Sequence, residues 1–471
     1  MTAKAAKTTP EETPHGHFGF RFVTPLGLGS TLNPVNSTMI STALVPIAGD
    51  FHATVAQSGW LIAGLYLASA VAQPTMGRLA DLFGPRRVYL IALLLVALSG
   101  LIGEFAPSLG VLIGARVLLG IGTSGAYPSA MRLFRMQADR HGYKAPPRVA
   151  MGVLSLSAIA SMAIGPVLGG VLTGAFGWHA IFFINLPLAA VTAGLTLLWV
   201  PKDAPLTRSW RHLINEVDLL GIALFVAFLL SLMIFLMNLG HPMWWVLPIA
   251  AGFLLALVLY SRRRRQPFID VRMLARNAPL SVTYLRAGLV AMITYCVLYG
   301  FGQWLESGAH YTAAQAGLFT LPMSAVAAVS SFTGARTKGL RAPFVVAIGA
   351  AVIGCACLWF VDATSAIWWI AFAVIFFGPP QGMFSTATQA AIYLQAPASE
   401  IGTAAGLQRT ATYIGAIAAT SLLGLMYGAR ATDAGLHNLA LTMGIVTAAL
   451  FVFTLFDRTL PQAKAEATPA K

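Results

Sequence analysis

Charge is scarce in this sequence, and acid is scarcer still. Only 10% of the 471 residues are charged and 16 are Asp or Glu, whereas 57% are hydrophobic. A globule of this length lacks the polar surface to cover so many apolar atoms, so the composition excludes an ordinary soluble protein and requires lipid as part of the solvent. The 3 cysteines, Cys296, Cys355 and Cys357, lie inside apolar stretches, which excludes a disulfide framework and makes them small packing residues. Metal-spaced histidines, nucleophile and base pairs and phosphate-cradling loops are also lacking, so neither an enzyme nor a cofactor or bound metal is expected.

The apolar residues fall into blocks of about twenty, the length that a helix rising ~1.5 Å per residue needs to cross ~30 Å of hydrocarbon. The predicted spans run approximately over 22–48, 58–77, 87–104, 109–131, 149–174, 180–200, 217–239, 243–261, 279–302, 314–335, 342–361, 365–388, 401–428 and 436–456. This is an all-α integral membrane fold of about fourteen spans, and the even number puts both termini on one side.

A formal charge of +14 can signal nucleic acid, but here the basic residues gather in alternate loops instead of along one face, as in the positive-inside rule. The groups are Arg78, Arg86 and Arg87; Arg132, Arg135, Arg140, Lys144 and Arg148; Lys202, Arg208 and Arg211; Arg262 to Arg265, Arg272 and Arg276; and Arg336, Lys338 and Arg341. The intervening loops are short and carry Asp50, Glu104, Glu306 and Asp362, with Arg430 the basic exception. The asymmetry predicts an inner (plasma) membrane protein with both termini cytoplasmic, with lipid as a partner and no nucleic acid. A single copy is the expected working unit.

Residues 1–21 and 458–471 lack apolar periodicity and read as disordered cytoplasmic extensions. The first apolar segment is too long for a signal-peptide core and reads as a permanent helix. Between the extensions the pattern divides into six spans (22–200), a linker with two additional spans (201–278) and six more (279–457). An internal echo relates the two groups of six: Gly77-Arg78-Leu79-Ala80-Asp81-Leu82-Phe83-Gly84-Pro85-Arg86-Arg87 returns in shortened form as Gly334-Ala335-Arg336-Thr337-Lys338-Gly339-Leu340-Arg341, without its acid. Such repeats underlie alternating access, in which two bundles rock about a midplane site.

The segment Gly77 to Arg87 resembles the cytoplasmic signature of the major facilitator superfamily, G-x-L-a-D-r-x-G-r-R. By that resemblance Gly77, Asp81, Gly84, Arg86 and Arg87 form a conformational latch, the alternative being a static salt bridge. In the fifth span, Ser161 to Gly170 resembles the family's antiporter motif G-x-x-x-G-P-x-x-G-G, with Ser161 in place of the first glycine and Gly165, Pro166, Gly169 and Gly170 matching. The motif goes with export in that family; its residues permit close packing and a bend. The run Gly177 to Pro187 is similar to G-W-R-W-I-F-x-I-N-x-P of the fourteen-helix drug:proton antiporter branch, with His179 where arginine is usual. The major facilitator fold so implied has two six-helix bundles plus two extra helices.

The chain departs from that branch at its centre. The acid expected in the first span is Asn36, and an amide does not take up and release a proton near neutral pH. Other carboxylates fall at span ends. Glu306 is the fallback proton site, or a solvated rim acid. Arg116, Arg286 and Arg409 lie within spans, where a cation is costly and marks a functional candidate. Arg116 matches the arginine of the family's fourth-helix motif, with pairing to helix carbonyls or Asn36 as the alternative; Arg286 and Arg409 are near enough to a helix end to snorkel.

The expected function is efflux of a small amphiphilic or anionic compound by alternating access. Its candidate cavity residues are Asn33, Asn36, Arg116, Arg286, Gln303 and Arg409, with Tyr66, Tyr127, Tyr295 and Tyr299 as possible stacking partners. Two alternatives stand beside it: a proton-independent exchanger or facilitator of an anionic metabolite, and a membrane sensor or scaffold that transports nothing.

Overall fold

The first apolar block breaks shortly before Pro46, although Pro25 and Pro34 lie inside the helix that precedes the break. A proline inside a helix removes one backbone donor and disfavours helical geometry in the preceding residue. In a computed structural model of the chain, the predicted span 22–48 is not one rod. Helix α1, Phe20–Met39, gives way to a tight 3-10 turn at Ile40–Thr42, and a short helix Leu44–Asp50 containing Pro46 follows. The structure describes residues 18–141, 148–205, 218–264, 267–269, 271–337, 339–396, 401–457 and 460. Most of the two terminal extensions, and Lys144, Arg208, Arg211, Arg265 and Lys338, lie outside the described residues.

The following rods are α2 (Val55–Phe83), α3 (Pro85–Glu104), α4 (Leu109–Arg140), α5 (Arg148–Phe176) and α6 (Ala180–Trp199). Then come α7 (Leu219–Met237), α8 (Val246–Arg263), α9 (Ala278–Ser307), α10 (Ala313–Gly334) and α11 (Arg341–Leu358). The last are α12 (Ile367–Ile392), α13 (Ile401–Tyr427) and α14 (Asp433–Phe456). Among the described residues, 12 helices are long and apolar enough to cross a membrane. Helices α1 and α5 stand outside that group. Asn33, Asn36 and several Ser and Thr dilute the apolar character of α1, and the apolar stretch described in α5 is Ala160–Phe176.

Helices α1 to α6 pack mainly on one another, as do α9 to α14. The pair α7 and α8 lies against each other, with α7 touching both α2 and α13. The two halves meet along α2 with α13 and α5 with α10. One end of the rods, here the basic end, carries the Gly84 turn and the loop arginines; the far end carries the turns before α2, α6, α10 and α14.

At the far end the repeat is clearer than at the Gly77 loop. His52 and His310 have positive φ of 50° and 59°, a left-handed conformation that closes a helix. Each is followed two residues later by a threonine that opens the next helix with a reciprocal cap, Thr54 with Gln57 on α2 and Thr312 with Gln315 on α10. Each half also pins its first helix to its last by an indole bonded to a carboxylate. Trp178 Nε1 donates to Asp50 at 2.6 Å, and Trp304 Nε1 donates to Asp433 at 2.7 Å.

Candidate functional site

Buried phenols need hydrogen-bond partners, and here they find one another across the seam between the halves. The Tyr66 hydroxyl of α2 lies 2.9 Å from that of Tyr299 on α9, which donates at 2.7 Å to the carbonyl of Ser37 on α1. A hydroxyl has one proton, so Tyr66 is the donor to Tyr299. The Tyr66 ring stacks on Tyr413 of α13 at 5.4 Å and meets Tyr295 at 5.1 Å, and Tyr413 donates to Gln73 Oε1 of α2 at 2.8 Å. Tyr66 is eleven residues into α2, roughly 17 Å from its start, so the aromatic layer sits near mid-depth.

A local irregularity in α9 shapes this layer. Residues Cys296–Phe301 form a π-helical turn, a wider turn that is common at functional sites. The Tyr295 and Tyr299 rings stack at 5.6 Å across it. One turn further, Gln303 is buried and donates to the Tyr299 carbonyl at 3.2 Å.

Arg409 borders the layer on its basic-end side. Its guanidinium lies 5.3 Å from the centre of the Tyr127 ring of α4, in the opposite half, and interacts electrostatically with Tyr413 and Tyr295. Among the described residues no carboxylate pairs with it, so the charge is met by π-faces and phenol oxygens. Arg409, Tyr127 and Gln73 are partly exposed.

Three other sequence candidates gather inside the first half. Asn36 and Asn185 of α6 exchange side-chain hydrogen bonds of 2.6 and 2.9 Å. Arg116 donates through Nε to the Leu61 carbonyl at 3.0 Å and through Nη1 to the Asn36 carbonyl at 3.1 Å, and Nη2 is buried without a hydrogen-bond partner. Asn33 donates to Thr123 at 2.9 Å. Arg116 therefore bolts α4 to α1 and α2 through carbonyls, and it interacts electrostatically with Tyr66 and Tyr299.

Arg286 is not brought to the aromatic layer. It forms an ion pair with Asp457, just beyond α14, donates to Thr454 at 3.3 Å and lies against the Phe344 and Phe453 rings. Only 1% of its surface is exposed, which fits neutralisation within the second half and not snorkelling. Glu306 stands at the far end of α9; it is partly buried, and its Oε1 has no hydrogen-bond partner.

In the latch segment, Asp81 pairs with Arg132 of α4 at 2.9 Å, both half exposed. The anion at the N-terminus of α3 is a different residue, Asp203. Its two oxygens accept from the backbone N–H groups of Arg86 and Arg87 at 3.1 and 2.8 Å, where a carboxylate caps the helix and meets the positive end of its dipole. Gly84 has φ 97°, and a side-chain carbon there would lie 2.5 Å from Asp203. Arg86 and Arg87 also donate to the carbonyls of Leu197 and Ala204. Gly77 packs on Pro128.

The α5 motif faces two ways. Side-chain carbons on Gly165 and Gly169 would run into Thr38 and Met39 of α1. One on Gly170 would lie 2.5 Å from the Ala313 carbonyl oxygen, and one on Gly317 of α10 would lie 2.5 Å from that of Pro166. The motif thus brings α5 against its own half and against α10 of the other. Ser161 bonds back to the Ser157 carbonyl.

A family model for the Major Facilitator Superfamily matches residues 26–420. The chain belongs to that superfamily. As a major facilitator protein it is a multi-pass membrane transporter, with its apolar helices embedded in lipid and a small molecule as cargo. The MFS-type transporter YwoD of Bacillus subtilis is 34% identical over 433 residues, 90% of this chain and 93% of that one. The tetracenomycin C resistance and export protein of Streptomyces glaucescens is 29% identical over 428 residues, 87% of this chain and 76% of its own. The multidrug resistance protein Stp of Mycobacterium tuberculosis is 28% identical over 416 residues, 86% and 75% of the two chains. A peptide transporter, POT, has the same fold at a TM-score of 0.68 and 14% identity, covering 93% of this chain and 96% of its own. The nucleoside transporter NupG matches at a TM-score of 0.64 and 12% identity, covering 93% and 100%.

Proposed function

We propose that this major facilitator protein exports small amphiphilic or anionic aromatic compounds, bound between its halves by Arg409 and the tyrosine layer and carried by alternating access. The observation that carries the reading is the guanidinium of Arg409, a partly exposed residue at the seam, faced by Tyr127 and Tyr413 and unpaired with any carboxylate among the described residues. A cation held by π-faces keeps its attraction for an anion, and the stacked rings offer a planar solute an apolar berth. Asn33, Asn36, Arg116 and Gln303 support the walls and do not carry the charge. Arg286 belongs to the second half's internal packing.

We take the basic end as cytoplasmic, because the loop arginines cluster there. The near-contacts of Gly170 with Ala313 and Gly317 with Pro166 then close the outer end, and Arg409 faces inward, ready to load from the cytoplasm. Two relatives, the tetracenomycin C resistance and export protein and the multidrug resistance protein Stp, favour the same direction. Domain limits of 22–200 and 279–457 for the two moving bodies, and a single chain as the working unit, complete the proposal. Asn36, paired with Asn185, stands where the drug:proton branch has its acid, so a first-helix carboxylate does not drive this cycle.

Inside-out vesicles loaded from a panel of matched aromatic anions, neutral amides and lipophilic cations provide the test. Saturable uptake of anions above the other two classes is expected. Uptake confined to cations, or none above protein-free vesicles, overturns the reading.

A further inference from the structure

The residues Gly221, Phe225, Leu229, Met233 and Met237, each four apart, are buried along the whole length of α7. That helix touches both α2 and α13, so it lies over a boundary between the halves that alternating access must loosen. Its basic end is held by polar bonds. Asp218 accepts from the Gly221 and Phe268 backbone N–H groups at 3.2 and 2.8 Å and from the Tyr260 hydroxyl at 2.6 Å, and it pairs with Arg264 at 3.6 Å. The Phe225 and Phe268 rings lie 5.7 Å apart. Phe268 stands in the lead-in to α9, whose short helix Val271–Arg276 is tied to α9 by the Ser281 hydroxyl on the Leu274 carbonyl at 2.9 Å. These bonds fasten α7 to the chain that enters the second half.

At the far end a thioether makes the contact. A side-chain carbon on Gly59 of α2 would lie 3.3 Å from the Met237 methyl carbon, and the Met237 sulfur lies 3.5 and 3.6 Å from the Thr420 and Ser421 hydroxyl oxygens of α13. The helices α2 and α13 meet directly here, since a side-chain carbon on Gly424 would lie 3.0 Å from the Ala56 Cβ. Both hydroxyls already bond the Ile417 carbonyl, at 2.7 and 3.0 Å. Withdrawing Met237 therefore strands no donor, and what it gives up is packing by a flexible, polarisable side chain. One end of α7 is anchored and the other is separable.

We propose that α7 is a strap anchored on the second half and that Met237 is its releasable pin. The pin bridges α2 and α13 while the far end is closed and leaves Gly59 when that end opens, so the side chain at position 237 sets the balance between the two forms. The inference rests on the alternating-access part of the proposed function and not on the anion at Arg409.

Spin labels placed at Pro107→Cys and Ala366→Cys, exposed far-end positions on opposite halves, report the separation by pulsed dipolar spectroscopy in substrate-free nanodiscs, with the native cysteines replaced. Met237→Ala should raise the ratio of long to short separations roughly fivefold or more, because the packing it removes belongs mostly to the closed form. Met237→Leu, which nearly keeps the volume, should stay within about twofold of the wild type. Gly59→Ala adds a carbon that is tight against Met237 and in ordinary contact with Thr420. It should move the ratio the same way, yet add nothing to Met237→Ala, and that coupling separates a lost pin from general loosening. An unchanged ratio in folded Met237→Ala, a single short separation in every variant, or additive effects of the two substitutions overturns the proposal. A protein that binds no anion yet keeps the Met237-dependent ratio would sink the anion reading and leave the strap standing; anion binding with an unmoved ratio would do the reverse.

Discussion

Asn36 and Asn185 complete each other, with amide hydrogen bonds of 2.6 and 2.9 Å running both ways between the first and sixth helices. Each buried amide answers the other's donor and acceptor, so the pair tolerates no one-sided change. Asn36→Leu leaves the wholly buried Asn185 half satisfied and should lower stability by about 1–3 kcal/mol. Thermal unfolding in detergent checks this, and Asn36→Leu with Asn185→Leu should recover part of the loss.

Asn36→Asp asks a functional question of the same pair. Asn185 can turn its amide group toward a carboxylate, so the acid is accommodated and brings a proton site to the first helix. Transport should become more steeply dependent on an imposed pH gradient than in the wild type, as read in proteoliposomes. An unchanged dependence would show that a carboxylate at this place does not couple.

Arg409→Glu reverses the charge beside Tyr127 and Tyr413. Anion flux should fall at least tenfold, since a lost attraction of ~1.4 kcal/mol already gives that factor, while Arg409→Lys should retain part of it. Measuring flux alongside folded yield separates this from misfolding.

The α5 and α10 seam permits a covalent test. A side-chain carbon built on Gly174 lies 3.8 Å from the Ala314 Cβ, the usual Cβ separation in a disulfide. Gly174→Cys with Ala314→Cys should oxidise readily, lock the far end closed and stop transport until a reductant restores it. Full transport by the cross-linked protein would mean that this end does not open.

Asp203 is the cap of α3. Asp203→Ala removes both acceptors from the Arg86 and Arg87 amides and should cost about 0.5–2 kcal/mol, visible as a lower melting temperature. Asp81→Asn, which weakens a half-exposed pair with Arg132, should cost less than ~1 kcal/mol and act mainly on transport rate.

The membrane fold and family were legible because span length, loop charge and the Gly77 and Gly165 motifs are local in sequence. The break ahead of Pro46 was not legible, because Pro25 and Pro34 sit inside an unbroken helix and a hydropathy window smooths across all three. Arg286 looked like a cavity residue only because Asp457 lies 171 positions away and pairs with it through the fold. Tyr413 and Gln73 were hidden for the same reason: each is one polar group in an apolar span, and only the packing of α2 on α13 makes them partners. Asn185 sat within the I-N-x-P run already noticed, and its pairing with an amide at position 36 was the available signal. Asp203 was masked by the basic residues around it. The His-x-Thr-x-Ala-Gln-x-Gly runs starting at His52 and His310 were readable throughout and carry the internal repeat more plainly than the Gly77 echo.

Whether Arg409 and its tyrosines select anions is tested most directly by the affinities of one aromatic carboxylate and its carboxamide. Measured by calorimetry on the detergent-purified protein and on Arg409→Gln, the wild type should prefer the carboxylate at least tenfold, and the variant should bind the two alike. Equal binding by the wild type, or a preference that survives Arg409→Gln, would contradict the account.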